Sequence, residues 1–419
     1  MNNNQSHWDK SYEWKAVTLL TLGFGLVGLD RWIIAPLFPS MMRDLNLDYQ
    51  DLGNIIAVLG VAWGIFAIFT GPLSDRIGRR RVLIPSIIGF SLLAGLSGMA
   101  TGMASLLLIR VLMGAFEGAF CPTSFAATDE ASHPLRRGRN QGIQQCSFAL
   151  FGMGFAPIIA TQLLDVVPSW RWVFVLNALP GLVIAFLLYR VLRDFRARAE
   201  SAAPAVPVAP TQSISSGSLF AHRNVVLGML AVLCAMTGIF VLGAMIPSYL
   251  VDFLKLSSQQ MGFVTSALGL GGTCGTLILP TLSDWLGRRW VTVASFVGAT
   301  AFLAAFSRTG PSPIELFVLL FFAAGFAFGI VTLVTGPIAM EAAPIGKTAS
   351  VAGLIIGAGE IFGGGVAPAL AGHLANTYGI ASVLTLAMGG LALGCVIGVF
   401  LKETAPRKQR VAPAATNPV

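Results

Sequence analysis

Charged residues are scarce in this sequence. Only 11% of its 419 residues are Asp, Glu, Lys or Arg, 55% are hydrophobic, and the mean hydropathy is +0.76. Soluble domains carry roughly 25% charged residues, because these cover the surface that faces water. A soluble fold is therefore excluded, and lipid must solvate most of the surface. A membrane-spanning helix needs roughly 20 apolar residues, so the chain has room for about twelve.

Residues that carry enzymatic chemistry are equally few. The four histidines, His7, His133, His222 and His373, are scattered, and the five cysteines fall in apolar runs without metal-ligand spacing. The sequence has no G-x-x-x-x-G-K-[ST] loop, so ATP binding is not expected. We therefore expect no enzymatic activity, no metal site and no cofactor.

The apolar residues form twelve runs between residues 16 and 401, each long enough to span a membrane as a helix. One long interruption, residues 193–223, contains SAAPAVPVAPTQSISSGS, a composition typical of a linker. It separates six runs from six runs. We predict an all-α membrane protein with an N-terminal six-helix bundle over 1–192, a linker over 193–223, and a C-terminal six-helix bundle with a short tail over 224–419.

The distribution of Lys and Arg predicts the orientation of the chain, because membrane proteins concentrate these residues in cytoplasmic loops. With the N-terminus inside, cytoplasmic segments hold 21 of the 27 Lys and Arg residues, and the outer loops hold four. The remaining two, Arg31 and Arg110, lie within apolar runs. We expect a multi-pass protein of the cell's inner membrane with its termini and linker in the cytoplasm. The same distribution explains the net charge of +8 without a nucleic-acid partner.

The two halves share a loop motif at an offset of 209 residues, GPLSDRIGRR at 71–80 and SDWLGRR at 283–289. Glycine permits a tight turn, and the arginines can pair with acids on neighbouring helices. Anchoring by positive charge would explain the arginines but not the matched Asp and Gly, so we expect a cytoplasmic gate. Its residues are Gly71, Asp75, Arg76, Gly78, Arg79 and Arg80 in the first copy, and Asp284, Gly287, Arg288 and Arg289 in the second.

The first copy resembles the G-x-x-x-D-R-x-G-R-R loop of the major facilitator superfamily. The second departs from it, with Pro280 where the first glycine would be. Two other stretches agree with the resemblance, one from Pro134 to Gly142 and one from Trp170 to Phe174. The resemblance covers essentially the whole chain. It implies two pseudo-symmetric six-helix bundles around a central cavity that opens alternately to either side.

Four ionisable residues lie within apolar runs of the first half, Asp30 and Arg31 in the first run and Arg110 and Glu117 in the fourth. Each would cost roughly 2.5–3.5 kcal/mol at the centre of a lipid-facing helix, so they must face a cavity or each other. Arg110 and Glu117, seven residues apart, share a helix face. Asp30 and Arg31 point about 100° apart, so one can face the cavity while the other reaches a neighbouring helix. A fixed network that locks the helices together is the alternative to a proton or substrate site.

This placement resembles the anion:cation symporter branch of the superfamily, which includes sugar-acid/proton symporters and sialin-like organic anion carriers. Those proteins carry an Asp-Arg pair in the first helix and an Arg and a Glu seven residues apart in the fourth. The resemblance implies that Arg31 binds a substrate carboxylate, that Asp30 and Glu117 carry protons, and that Arg110 tunes them. It also implies that Trp63 contacts the substrate.

Three further polar residues within apolar runs are candidates for the site. Gln144 and Gln145 in the fifth run are candidate substrate contacts, although a hydrogen bond between helices would explain either residue equally well. Glu360 in the eleventh run lies among glycines that permit close packing or local unwinding. It is a candidate for a second proton carrier, for a ligand of a cationic substrate group, for the partner of a gate residue, or for a structural role.

We predict a monomeric secondary active transporter that takes up a small organic anion together with protons. The seventh run lacks the polar and aromatic residues with which sugar-acid carriers hold hydroxyl groups, which favours a less polar acid, such as an aromatic acid, over a sugar acid. The alternative is a proton-driven efflux antiporter. Arg31 makes this alternative less favoured, because pumps for cationic drugs usually present acids without a paired arginine. A membrane enzyme or a sensor would need a catalytic cluster or a large soluble domain.

Overall fold

The computed structural model describes residues 9–193, 222–342 and 348–405, and every regular element in those ranges is helical. Within them, twelve helices are long and apolar enough to cross a membrane, as the sequence predicts. The interior of the expected linker over 193–223 lies outside the described residues. In chain order the helices are α1 (Lys10–Leu45), α2 (Tyr49–Ile77), α3 (Arg79–Ser97), α4 (Met103–Ala131), α5 (Arg137–Val166), α6 (Trp170–Val191), α7 (Arg223–Phe253), α8 (Ser258–Leu286), α9 (Arg288–Arg308), α10 (Pro313–Ala342), α11 (Leu354–Tyr378) and α12 (Ser382–Val399).

The helices form two six-helix bundles with the same internal packing. In the first bundle α4 packs against α2 and α3, and α3 packs against α6. In the second bundle α10 packs against α8 and α9, and α9 packs against α12. The bundles meet chiefly along two helix pairs, α2 with α11 and α5 with α8, and α1 also contacts α7. A shift of six helices converts one set of pairings into the other, so the packing follows the repeat in the sequence.

The second helix of each bundle begins and ends with the same capping features. Asp48 caps the start of α2 and Ser257 caps the start of α8, each within a capping box that occupies backbone N–H groups left free at a helix start. Both helices end at a glycine with positive φ, 100° at Gly78 and 103° at Gly287. Residues with a Cβ rarely adopt this conformation, so glycine permits the turn into the next helix.

The first helix is interrupted where its charged residues lie. The α-helix ends at Trp32 and resumes at Ile34. Pro36 causes the interruption, because proline has no N–H to donate to the carbonyl oxygen four residues earlier. The irregular turn at Ile33 lies two residues after Arg31.

Two π-helical segments repeat in the same way. One occupies Leu150–Phe155 in α5, and the other occupies Gly359–Val366 in α11, so their starts are 209 residues apart. Insertions of this kind are frequent at functional sites. Glu360 lies in the second segment.

The two bundles are closed against each other on one side. We call the side where α1 begins and α12 ends the terminal face, and the opposite side the far face. At the far face the hydroxyl of Tyr49 donates to Asp252 at 2.9 Å, and the amide of Gln259 donates to Asp165 at 2.9 Å. Both bonds join the first bundle to the second. The structure therefore shows a conformation that is closed at the far face.

Candidate functional site

Five ionisable side chains from both bundles lie at the centre of the molecule. Asp30 and Arg31 come from α1, Arg110 and Glu117 from α4, and Glu360 from α11. Each is between 0% and 7% exposed. The four charged residues predicted from the first half therefore face each other, and Glu360 joins them. With every acid ionised, three carboxylates and two guanidinium groups leave this central cluster with a formal charge of −1.

Arg31 is the member of the cluster that bonds across to the second bundle. Its Nη2 lies 3.3 Å from Oε2 of Glu360, and its guanidinium carbon lies 4.5 Å from the ring centre of Phe240. The ring centres of Trp32 and Trp63 each lie 5.9 Å away. Its Nε and Nη1 atoms are buried without a hydrogen-bond partner. Since a guanidinium binds carboxylates through several parallel N–H groups, Arg31 retains donors for a further anion.

Asp30 points away from Arg31 and into the first bundle. The side-chain amide of Asn177 on α6 donates to its Oδ1, and Nη1 of Arg110 donates to its backbone carbonyl oxygen at 3.1 Å. The adjacent pair thus divides as the helix geometry predicts, with Arg31 directed to the second bundle and Asp30 to a neighbouring helix. Arg110 keeps Nε and Nη2 without partners.

Glu117 is fully buried, and neither of its carboxylate oxygens has a hydrogen-bond partner. Burying an ionised carboxylate without donors is costly, whereas burying a carboxylic acid costs far less. This position therefore suits a group that binds a proton in the conformation observed.

The three other side chains predicted to contact the substrate lie in different environments. Trp63 is buried beside Arg31, and its indole Nε1 has no partner. Gln144 is buried and donates to the hydroxyl of Ser124 on α4 at 3.0 Å, which is a hydrogen bond between helices. Gln145 is exposed. The two predicted glutamine contacts therefore differ, since Gln144 is occupied by a bond between helices and Gln145 is not.

Two residues of the site were not expected from the sequence. Phe240 of the seventh run packs against Arg31, although its ring has no atom that could hold a hydroxyl group. Nothing in the sequence distinguishes Phe240 from the other 27 phenylalanines. Asn177, the partner of Asp30, does leave a signal, since an amide within an apolar run needs a polar partner.

The central cluster is tightly enclosed. Cavities of about 420 Å³ and 430 Å³ open at the far face beside Trp170 and at the terminal face beside Tyr12, and the cluster lines neither of them. The cluster residues, Trp63 and Phe240 are all at most 8% exposed. An anion can therefore reach Arg31 only after a neighbouring group moves.

The repeated loop motif makes matching ion pairs at the terminal face. Nε of Arg79 lies 3.0 Å from Oε1 of Glu130 at the end of α4, and Nη2 of Arg288 lies 3.0 Å from Oε1 of Glu341 at the end of α10. Arg288 also lies 2.6 Å from Asp284. In each bundle an arginine thus ties the start of the third helix to the end of the fourth.

The other motif residues are less uniform. Arg80 donates to the carbonyl oxygen of Tyr189 at 2.6 Å, whereas Arg76 is exposed. The backbone N–H of Arg289 donates to Glu403 at 3.2 Å. Gly71 and Asp75 lie in the last turns of α2, and their side-chain environment is outside the part of the chain that the structure describes.

Sequence comparison places this architecture among known proteins. The family model described as Major Facilitator Superfamily matches residues 20–355 and 228–418. The chain is 28% identical over 366 residues to a probable 4-methylmuconolactone transporter of Cupriavidus pinatubonensis, covering 85% of this chain and 84% of that protein. It is 27% identical to the hexuronate transporter of Bacillus subtilis over 62% of each chain. It is 24% identical to the 4-hydroxybenzoate transporter PcaK of Pseudomonas aeruginosa, over 94% of this chain and 86% of that protein.

A solved structure has the same fold. It is a bacterial homologue of the human lysosomal transporter Spinster, in an inward-facing and occupied conformation. The TM-score is 0.77 at 18% sequence identity, and the alignment covers 97% of this chain and 100% of the other. At this identity the similarity concerns the fold alone.

Proposed function

Because the chain belongs to the Major Facilitator Superfamily, a family of membrane transporters, we propose that it takes up a small organic anion together with protons by alternating access. The observation that carries this proposal is Arg31. It is a buried cation at the contact between the two bundles, and it has two nitrogen atoms without partners. A permanently charged, two-pronged donor in this place suits a carboxylate.

The surroundings of Arg31 favour a flat, weakly polar acid. Phe240, Trp32 and Trp63 surround its guanidinium, and the hydroxyl of Thr237 on α7 is bonded to the carbonyl oxygen of Leu233 on its own helix. An aromatic carboxylate can pack against these rings. The relative named for 4-hydroxybenzoate supports an aromatic acid, and the relative named for hexuronate keeps a sugar acid as the second candidate.

Protons are assigned to the carboxyl groups of the central cluster. Glu117 lacks any hydrogen-bond donor in this conformation, and Asp30 is held by the neutral amide of Asn177. A change in the distance of either acid from Arg110 would change its affinity for protons, because a nearby cation stabilises the ionised form. Proton binding and reorientation are then coupled, since the two conformations bind protons with different affinity.

The excess of Lys and Arg assigns the terminal face to the cytoplasm, with both termini on that side of the inner membrane. The far face, closed here, is then the outer face, and the conformation is closed to the outside. The ion pairs of Arg79 and Arg288 lie at the cytoplasmic gate. One chain contains the whole central cluster, so a monomer suffices for transport.

The proposal is tested by transport in proteoliposomes loaded at alkaline pH and diluted into acidic buffer, with 4-hydroxybenzoate and glucuronate as labelled probes. Arg31→Lys keeps the charge but loses the two-pronged geometry, and Arg31→Ala loses both. Loss of hydrogen bonds to a charged partner costs about 1.5–3 kcal/mol, which corresponds to a roughly 10- to 150-fold loss of uptake. Arg308→Lys, at an exposed position at the end of α9, is the matched control.

The direction of accumulation separates the two transport modes. A symporter concentrates the anion on the alkaline side, whereas an antiporter concentrates it on the acidic side. Protein-free vesicles report how much of the acid crosses lipid unaided. Normal transport by both Arg31 variants would refute the anion site, and accumulation on the acidic side would establish the efflux antiporter instead.

A further inference from the structure

The ion pair between Arg31 and Glu360 has an unusual setting. Its partners belong to different bundles, and they are 2% and 7% exposed. Backbone encloses the pair on both sides. A Cβ on Gly60 of α2 would lie 3.1 Å from Nη2 of Arg31, and a Cβ on Gly364 of α11 would lie 2.9 Å from Oε2 of Glu360. No space for a second carboxylate remains on that side of the guanidinium while Glu360 holds it.

Among the described residues, Arg31 is the one cation within hydrogen-bond distance of Glu360. On α7 and α2, which pack against its π-helical segment, the neighbouring side chains are Met236, Phe240 and Val61. The titratable group near it on α4 is the buried thiol of Cys121. If Arg31 turned to another anion, Glu360 would remain among apolar side chains and a thiol, without a counter-charge.

We infer that Glu360 is a built-in carboxylate that occupies Arg31 in the empty transporter, and that the substrate carboxylate replaces it while Glu360 takes up one proton. The inference rests on the proposed function and assigns Glu360 its role at the same site. The O–H bond forms on the Glu360 carboxylate with a proton delivered as hydronium from the solution through which the substrate enters, and a water molecule is released. No covalent bond to the substrate forms.

The charges of the central cluster support the exchange. An arriving anion adds one negative charge to a buried group of residues that already has more acids than bases. A buried carboxylate stripped of its counter-charge is strongly disfavoured, so protonation of Glu360 must accompany its displacement. The released side chain lies in a glycine-rich π-helical turn, where the backbone presents few side-chain obstacles to its movement.

The test is binding of a panel of benzoate, 4-hydroxybenzoate and glucuronate to purified protein between pH 6 and 8, by calorimetry in buffers of different ionisation enthalpy. Proton uptake on binding makes affinity fall as pH rises, by about tenfold per pH unit for one proton. Glu360→Gln removes both the competitor and the proton acceptor. We expect this variant to bind the acid at least about tenfold more tightly at pH 8 and to take up about one proton fewer than the wild type.

Two further variants provide a second test and a control. Glu360→Asp shortens the side chain by one methylene, about 1.5 Å, which weakens the ion pair but keeps the carboxyl group. It should bind the acid more tightly than the wild type and still take up the proton, so it tests the inference even if Glu360→Gln does not fold. Glu315→Gln, at an exposed acid near the start of α10, should match the wild type in both measurements.

The outcomes are distinct. Equal affinity and equal proton uptake in the wild type and Glu360→Gln would overturn the inference while leaving the anion site standing. Binding to Glu360→Gln alone would support it, because the competitor then blocks the site in the wild type. Failure of every acid to bind either protein would overturn the proposed function together with the inference.

Discussion

The contact between α2 and α11 predicts the effect of a single methyl group on the conformational equilibrium. Gly53, in the second turn of α2, faces the second bundle. A Cβ at this position would lie 2.4 Å from the carbonyl oxygen of Pro368 and 3.2 Å from the Cα of Ala369. Backbone atoms cannot rotate away, so Gly53→Ala must push the bundles apart at the far face by about 1 Å to reach normal contact.

The magnitude follows from the cost of overpacking. One additional methyl group in a tightly packed contact costs typically 1–3 kcal/mol. In alternating access this contact opens when the transporter faces outward, so the cost falls on the far-closed state alone. The ratio of far-open to far-closed molecules should therefore rise by roughly 5- to 150-fold.

Gly98→Ala is the matched control, because the added methyl group meets the same kind of clash within a single bundle. A Cβ on Gly98 would lie 2.4 Å from the carbonyl oxygen of Arg171, and both residues belong to the first bundle. Gly98→Ala should lower the thermal stability without changing the ratio of the two states, because its contact persists in both.

Pulsed electron paramagnetic resonance can follow the far face in a background without native cysteines. Nitroxide labels at the exposed residues Val166 and Tyr378, at the ends of α5 and α11, report the distance between the bundles. We expect a longer-distance population in Gly53→Ala that is absent in Gly98→Ala. An unchanged distance distribution in a folded Gly53→Ala protein, or an equal shift in both variants, would refute the reasoning.

The side chains of Glu117→Gln and Asp30→Asn resemble the protonated acids but cannot exchange a proton. Uptake driven by a pH gradient should therefore fail in both variants. Exchange of substrate across the vesicle membrane needs no net proton movement and should survive at least partly in one of them. A fixed structural network predicts loss of stability and of all transport modes together, whereas intact pH-driven accumulation in both variants would remove these acids from the proton path. Tyr49→Phe deletes the hydroxyl that donates to Asp252 at 2.9 Å, a bond worth about 1 kcal/mol, and should shift the same label distance toward the far-open state by roughly fivefold. A distance distribution like that of the wild type would show that this bond does not hold the far face closed.

The general architecture could be predicted from local features of the sequence. Twelve spans follow from the length of the apolar runs, because each helix in lipid must satisfy its own backbone hydrogen bonds. The offset of 209 residues between the loop motifs reappears in the caps at Asp48 and Ser257 and in the glycine turns at Gly78 and Gly287. The cost of charge in lipid also required Arg31 and its neighbours to be internal.

The partner of each charge could not be predicted in this way. Arg31 and Glu360 are 329 residues apart, and the choice among the four roles open to Glu360 depends on which helices meet at the contact between the bundles. Gln144 and Gln145 are neighbours of the same chemical type, yet one bonds to another helix and the other is exposed. Hydropathy and spacing assign a residue to a depth and a helix face. A hydrogen bond or ion pair needs its partner within about 3 Å, and that distance depends on the packing of distant segments.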